Sequence, residues 1–180
     1  MNPLQLIHKY YASQPELEYL LVRHSRQVAG RALTIACQHP EWGLDLRFVY
    51  EAAMLHDIGI LKTDADGIFC HGTEKYICHG RLGAEILREE GLERHARVAE
   101  RHTGTGLTAR QIEERSLPLP VQDFVPESLE EKLICYADKF YSKSHPEVEK
   151  TFEQALQSLK KFGEEGVAIF TSWHDLFEAV

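Results

Sequence analysis

Apolar side chains recur every three or four residues along most of the chain, as they do on the buried face of an amphipathic helix. This pattern predicts helices at about residues 3–12, 15–39, 45–59, 80–90, 92–102, 108–115, 128–143 and 146–162, with a last helix within 167–180. No segment alternates apolar and polar residues as a half-buried strand does. Residues 60–78 show no sustained period and are expected to be irregular. The predicted fold class is all-α, a helical bundle.

Residues that start and stop helices agree with this division of the chain. Pro15 suits the first turn of the second helix, Pro40 ends it, and Asp45 is an expected N-cap for the third. No internal repeat, low-complexity tract or flexible linker interrupts the pattern. We therefore expect a single domain over residues 1–180, with helices in 146–180 packing on the rest.

The charge of the chain limits its partners. The 180 residues include 28 acidic and 20 basic side chains, which gives a formal net charge of −8. An acidic protein of this size is not expected to bind a nucleic acid polymer or an anionic membrane. A small phosphorylated molecule, bound in a locally positive pocket, is still compatible with that charge. The sequence carries no signal for an oligomeric state.

Cysteine usage and the N-terminal residues predict a cytoplasmic location. The four cysteines form no C-x-x-C pair, so a structural zinc knuckle is not expected and reduced thiols are. The first twenty residues contain polar side chains throughout, unlike a signal peptide, and no apolar run approaches the roughly 20 residues of a membrane-spanning helix.

Three polar sites occur inside apolar helical segments. His56 and Asp57 end the helix that contains Ala-Ala-Met-Leu, His24 lies on the apolar face of its helix, and Asp138 follows Leu-Ile-Cys-Tyr-Ala. Each site alone has an ordinary structural explanation: an aspartate that hydrogen-bonds its histidine, a satisfied core histidine, or an ion pair with a nearby lysine. Together, a His, a His-Asp pair and an Asp on three helices can converge in a bundle core, where helical folds commonly build metal sites.

The ordered set His24, His56-Asp57 and Asp138 resembles the HD-domain superfamily, and the string HDIG at residues 56–59 resembles a known variant of its second motif. The resemblance covers about residues 17–145. It implies an all-α scaffold on which these four residues bind a divalent metal ion.

Two more histidines resemble the six-ligand branch of that superfamily. His79 precedes a predicted helix in HGRLGAEIL, and His102 ends another in AERHTGTG. The strings HTGTG and YADK are similar to those of bacterial hydrolases that split dinucleoside polyphosphates symmetrically. The resemblance implies one ion on His24, His56, Asp57 and Asp138, a second on His79 and His102, and Asp57 bridging the two.

The implied function is a metal-dependent phosphohydrolase that cleaves a phosphate ester or phosphoanhydride of a nucleotide-like substrate through a metal-bound hydroxide. Nitrogen and oxygen ligands suit one or two ions of iron, manganese, cobalt, nickel or zinc. We expect Asp57 and Lys62 to be catalytic. Four further residues are expected to bind the substrate phosphate: Arg81, Thr103, Gly104 and Lys139.

Two other functions stay open on the sequence. Mixed-valent di-iron oxygenases of the same superfamily share the six-ligand arrangement, and a non-catalytic nucleotide-binding module is a third possibility. The cyclic-dinucleotide branch is disfavoured, because Ile60 rather than a lysine follows Gly59 and no Gly-Tyr-Pro string occurs. Substrate specificity is expected to lie in residues 60–78 and 104–127.

Overall fold

The computed structural model describes residues 1–179. Its helices are α1 (Pro3–Tyr11), α2 (Pro15–Gln38), α3 (Leu46–Leu55), α4 (His79–Glu89), α5 (Glu93–Arg101), α6 (Ala109–Glu114), α7 (Leu129–Asp138), α8 (Phe152–Leu159) and α9 (Glu164–Phe177). The all-α class is confirmed, and most helix bounds agree with the predicted ones to within two residues. The predicted end of the last helix, Val180, lies outside the described residues.

Side-chain caps fix several of these helix starts, because the first N–H groups of a helix have no partner within it. The Asp45 carboxylate accepts a hydrogen bond from the Phe48 N–H (3.0 Å), as its sequence position predicted. Capping boxes begin three more helices, at Thr108, Ser128 and Thr151.

One large core cluster contains apolar residues from every described helix except α6, whose Ile112 packs in a second, smaller cluster with Leu107 and Phe124. Helix α2 packs against α3 and α7, and α4 packs against α5 and against the 3-10 helix Ile58–Lys62. These packed elements are the ones that contain or adjoin the metal ligands expected from the sequence. Among residues 1–179, no helix is long and apolar enough to cross a membrane.

The prediction of an irregular segment without strands at residues 60–78 was wrong in part. Three short strands, β1 (Thr63–Ala65), β2 (Cys70–His71) and β3 (Glu74–Lys75), form a sheet in the order β2-β1-β3. Strand β1 pairs antiparallel with β2 and parallel with β3. Strands of two or three residues are too short to show an alternating pattern, so their pairing depends on the surrounding fold.

The predicted helix ends near residues 59, 143 and 146 were also wrong. Helix α3 ends at Leu55, before the His-Asp pair, and the chain continues as a 3-10 helix from Ile58. Helix α7 ends at Asp138 and α8 begins only at Phe152, so residues 139–151 are non-helical. That segment contains Ser-Lys-Ser-His-Pro, a composition typical of turns.

Candidate metal centre

The structure brings together the six residues that the resemblance implied as ligands. They form two groups that share Asp57. The first group contains His24, His56, Asp57 and Asp138, and the second contains Asp57, His79 and His102. Within each group the ligand atoms lie within 4.8 Å of one another.

Helices α2, α3 and α7 supply the first group. The His24 Nε2 atom lies 3.2 Å from Asp57 Oδ2 and 3.0 Å from Asp138 Oδ1. The His56 Nε2 atom lies 3.1 Å from Asp57 Oδ2 and 3.4 Å from Asp138 Oδ1. Two imidazole nitrogens and two carboxylate oxygens therefore face a common point.

The second group uses the other oxygen of Asp57. Its Oδ1 atom lies 3.4 Å from His79 Nε2 and 3.3 Å from His102 Nε2. Asp57 is thus placed between the two groups with one oxygen toward each, which is the arrangement that a bridging carboxylate requires. Asp57 and His56 are fully buried, because the turn at the end of α3 points both side chains into the bundle.

Three of the histidines have their tautomer fixed by the backbone. The Nδ1–H groups of His56, His79 and His102 each donate, over 2.7 Å, to the carbonyl three residues earlier. Each histidine follows the last residue of a helix or 3-10 turn. After α3 and α5 the accepting carbonyl lies in the last turn, where carbonyls lack an intrahelical partner, whereas the Tyr76 carbonyl also accepts the His79 backbone N–H. One hydrogen bond therefore caps the helix and leaves the Nε2 lone pair directed into the site, as metal-binding histidines require.

The cluster fits a divalent cation better than it fits a self-contained hydrogen-bond network. Asp57 Oδ1 and the Nε2 atom of His56 are buried without a hydrogen-bond partner, whereas Asp57 Oδ2 lies against the ammonium group of Lys143. The Nε2 atoms of His79 and His102 lie 3.0 Å apart although both are acceptors. Buried lone pairs at such a distance repel unless a positive charge stands between them.

Protonation does not supply that charge at the second group. Burial lowers the pKa of His79 to about 3 and also lowers the pKa of His102. At His56, burial likewise disfavours the imidazolium, but the carboxylates of Asp57 and Asp138 outweigh it and raise the pKa to about 9. A metal ion at the first group would compete with the His56 proton for the same lone pair.

Lys143 contacts the cluster and was not predicted. Its Nζ atom lies 2.5 Å from Asp57 Oδ2, with both side chains largely buried. Burial raises the pKa of Asp57, but the charges of Lys143 and His56 outweigh it and hold that pKa well below its usual value. Helical periodicity predicted residue 143 as the end of a long helix. The turn-forming composition around it was the available signal.

A cavity of about 540 Å³ opens beside the cluster and is lined by His79, His102 and Asp138. Four lysines also line it: Lys139, Lys143, Lys150 and Lys161. Asp138 is the one carboxylate among the lining residues, so the cavity is locally positive although the chain is acidic.

Three of the predicted substrate-binding residues lie at this cavity. Thr103 and Gly104 line it, in a turn where Gly104 adopts a positive φ of 62°. The Lys139 Nζ atom lies 2.6 Å from Asp138 Oδ2 and donates to the His102 carbonyl over 2.7 Å.

Lys62 and Arg81 are not brought into the cavity. Lys62 ends the 3-10 helix after the His-Asp pair and is absent from the cavity lining. Arg81 pairs with Glu85 one turn further along α4 and lines a separate small pocket. Neither residue lines this cavity, and their catalytic and phosphate-binding roles stay predictions. Most of the lining residues belong to 138–162, not to the segments 60–78 and 104–127 expected to set specificity.

The fold and the cluster together define an all-α protein with a buried histidine-aspartate metal site. A family model of the HD domain matches residues 21–142, more than half of the chain. The chain belongs to the HD-domain family.

Three relatives show how the domain occurs elsewhere. A protein named tRNA (cytidine(56)-2'-O)-methyltransferase from Picrophilus torridus is 40% identical over 68% of this chain, and one of the same name from Thermoplasma volcanium is 33% identical over 77%. The matches cover only 32% and 35% of those two proteins. An uncharacterized protein from Methanocaldococcus jannaschii is 40% identical over 66% of this chain and 64% of its own length.

A solved structure shares the fold. The HD domain of the phosphodiesterase PgpH from L. monocytogenes superimposes with a TM-score of 0.54 over 92% of both chains, at 17% sequence identity. At that identity, the likeness shows the common fold.

Proposed function

We propose that this chain is a metal-dependent phosphohydrolase that cleaves a phosphate ester or phosphoanhydride of a small, nucleotide-like substrate. The observation that carries the proposal is the position of the four-histidine, two-aspartate cluster at the wall of a cavity lined by four lysines. A set of metal ligands beside a positive cavity fits an anionic ligand such as a phosphate group.

Divalent ions held by the cluster would polarise a phosphoryl oxygen and make water acidic enough to act as a nucleophile near neutral pH. The protein's own groups then position and neutralise the substrate. Lys143 and Lys139 lie against the two aspartates, so their ammonium groups are placed to bind non-bridging phosphate oxygens next to the ligands. The turn at Thr103 and Gly104 can add backbone N–H donors to the same phosphate.

Hydrolysis is favoured over methyl transfer for this chain. The names of the two methyltransferases describe proteins of which the matches cover about a third. The buried histidine-aspartate cluster of this chain suits hydrolysis. The finer similarity to symmetrical dinucleoside polyphosphate hydrolases is part of the proposal and is supported by the strings HTGTG and YADK.

The test follows two products: orthophosphate released from a panel of nucleotides, and nucleotides formed from dinucleoside polyphosphates, separated by chromatography. Iron, manganese, cobalt, nickel or zinc is added after chelation. The proposal expects activity that chelation abolishes and one or more of these metals restores. Assays with and without oxygen, using reduced metal, separate hydrolysis from the di-iron oxygenase reaction. Activity that requires oxygen contradicts hydrolysis, and no release with any metal favours a non-catalytic binding module.

A further inference from the structure

A second groove, of about 610 Å³, lies beside the lysine-lined cavity, and Lys143 and Ser144 line both. Its other residues are mainly apolar, and it includes two aromatic side chains from separate elements. Tyr19 belongs to α2, and Phe69 lies between the first two strands. No residue of this groove belongs to the metal cluster.

The two aromatic side chains are unusually exposed for their size. Tyr19 is 69% exposed and Phe69 is 46% exposed. Phe69 also adopts a left-handed backbone conformation, with a φ of 62°, which is unfavourable for a bulky residue and suits glycine. The fold therefore holds an aromatic ring at the surface in a strained conformation without gaining burial, which is typical of ligand-binding positions.

The charges around the groove indicate what an occupant carries. Arg23 lines it from α2, one residue before His24, and the Lys143 side chain extends from this groove to Asp57. A ligand with its phosphate near Lys143 Nζ would therefore have its remaining atoms within reach of Tyr19 and Phe69. Glu16 lies at the same groove and can accept a hydrogen bond from an amino group.

We propose that the Tyr19–Phe69 groove binds the base of the nucleotide substrate by aromatic stacking, while its phosphate occupies the lysine-lined cavity. This proposal rests on the proposed function, which it deepens by assigning the substrate a planar aromatic base. Stacking of a base on an exposed aromatic ring depends little on the identity of the base, so the groove selects nucleotides over sugar phosphates.

The experiment compares the binding of adenosine, AMP and ribose 5-phosphate to the metal-loaded protein by titration calorimetry, with the two phosphate esters supplied as their non-hydrolysable methylenephosphonate analogues. AMP and ribose 5-phosphate share the phosphate and the sugar and differ in the base. The wild-type protein is expected to bind AMP at least about fivefold more tightly than ribose 5-phosphate, as one stacked base gives. Equal affinity for the two would overturn the proposal.

Two substitutions test whether the preference for AMP depends on the aromatic rings of the groove. Tyr19→Ala and Phe69→Gly should each bring the AMP affinity close to that of ribose 5-phosphate and leave ribose 5-phosphate binding unchanged. Phe69→Gly removes the ring and also relieves the backbone strain, so the folded state should be retained or stabilised. Leu176→Ala, an exposed apolar position outside both cavities, is the matched control.

The remaining outcomes of these measurements each support or overturn either the base site or the proposed function. An AMP preference that survives both substitutions places the base elsewhere and overturns the proposal. So does a Tyr19→Ala protein that sediments as a smaller species with unchanged AMP binding, because the groove is then an interface between chains. Tyr19-dependent adenosine binding without any phosphate hydrolysis would reject the proposed function and keep the base site. Phosphate hydrolysis by a protein whose affinity does not depend on the base would keep the proposed function and reject the base site.

Discussion

The Nζ atom of Lys143 lies 2.5 Å from Oδ2 of Asp57, the carboxylate that the two ligand groups share. The lysine reaches this position from a non-helical segment between α7 and α8, and it also lines both cavities. One side chain thus connects the metal ligands with the surfaces on which we place the phosphate and the base.

Replacing Lys143 should separate its role in stability from its role in activity. Lys143→Met leaves Asp57 with less compensating charge, and removing one partner of a buried ion pair costs about 3 kcal/mol or more. We expect this loss in urea unfolding of the chelated protein and a smaller loss after metal is added, because the ion replaces the lysine charge. The kcat/KM should fall about a hundredfold, the scale of losing one charged donor to a transition state.

Lys75→Met is the matched control, because Lys75 is exposed and lines neither cavity. Lys143→Arg keeps the charge and should retain more activity than Lys143→Met. Equal unfolding free energies of wild type and Lys143→Met in chelator would contradict the ion pair.

Metal stoichiometry should follow the two ligand groups. Elemental analysis of wild-type protein after metal loading and desalting is expected to give two ions per chain. His79→Ala and His102→Ala should each reduce the content to about one, because both nitrogens face the same oxygen of Asp57. His71→Ala, at an exposed position that pairs with Asp66, should retain two. A metal content of one ion per chain in the wild type, unchanged in the His79 and His102 variants, would contradict the second metal site.

Asp57→Asn should abolish both metal sites together. The substitution keeps the size of the side chain but removes the charge and makes one of the two oxygens an amide nitrogen, which cannot be a ligand. We expect activity to fall by more than the roughly 10–100-fold typical of outer-sphere metal-site mutations, with helical circular dichroism retained. Asp66→Asn, exposed in the small sheet region, is the control. Activity within tenfold of wild type would exclude a bridging role for Asp57.

Gly59→Ala should disturb the site through the backbone. A Cβ at Gly59 would overlap the carbonyl of His79 and the amide nitrogen of Gly83, so α4 must move away from the 3-10 helix. We expect a loss of about 1–3 kcal/mol in the free energy of unfolding and weaker metal binding at the second group. Gly30→Ala is the control: a Cβ there meets no atom within 4 Å, and a helical alanine should stabilise by about 0.5–1 kcal/mol.

The sequence alone determined the all-α class and the six candidate ligands. Helical periodicity is a local property, and a buried histidine or aspartate in an apolar segment stands out from its neighbours without any coordinates. That reasoning found His24, His56, Asp57 and Asp138; the resemblance added His79 and His102 and divided the six into two groups, and the structure brings all six together in those groups.

Only the tertiary structure decided which cations surround the site. Lys62 and Arg81 were predicted from their closeness to ligands along the chain. Lys143, Lys150 and Lys161 instead reach the cavity from residues that periodicity assigned to the two helices 128–143 and 146–162. The pairing of the short strands is set by non-local contacts, which no local pattern encodes. A lysine is usually a solvated surface charge, so its role follows from where the fold turns the chain and not from its neighbours in sequence.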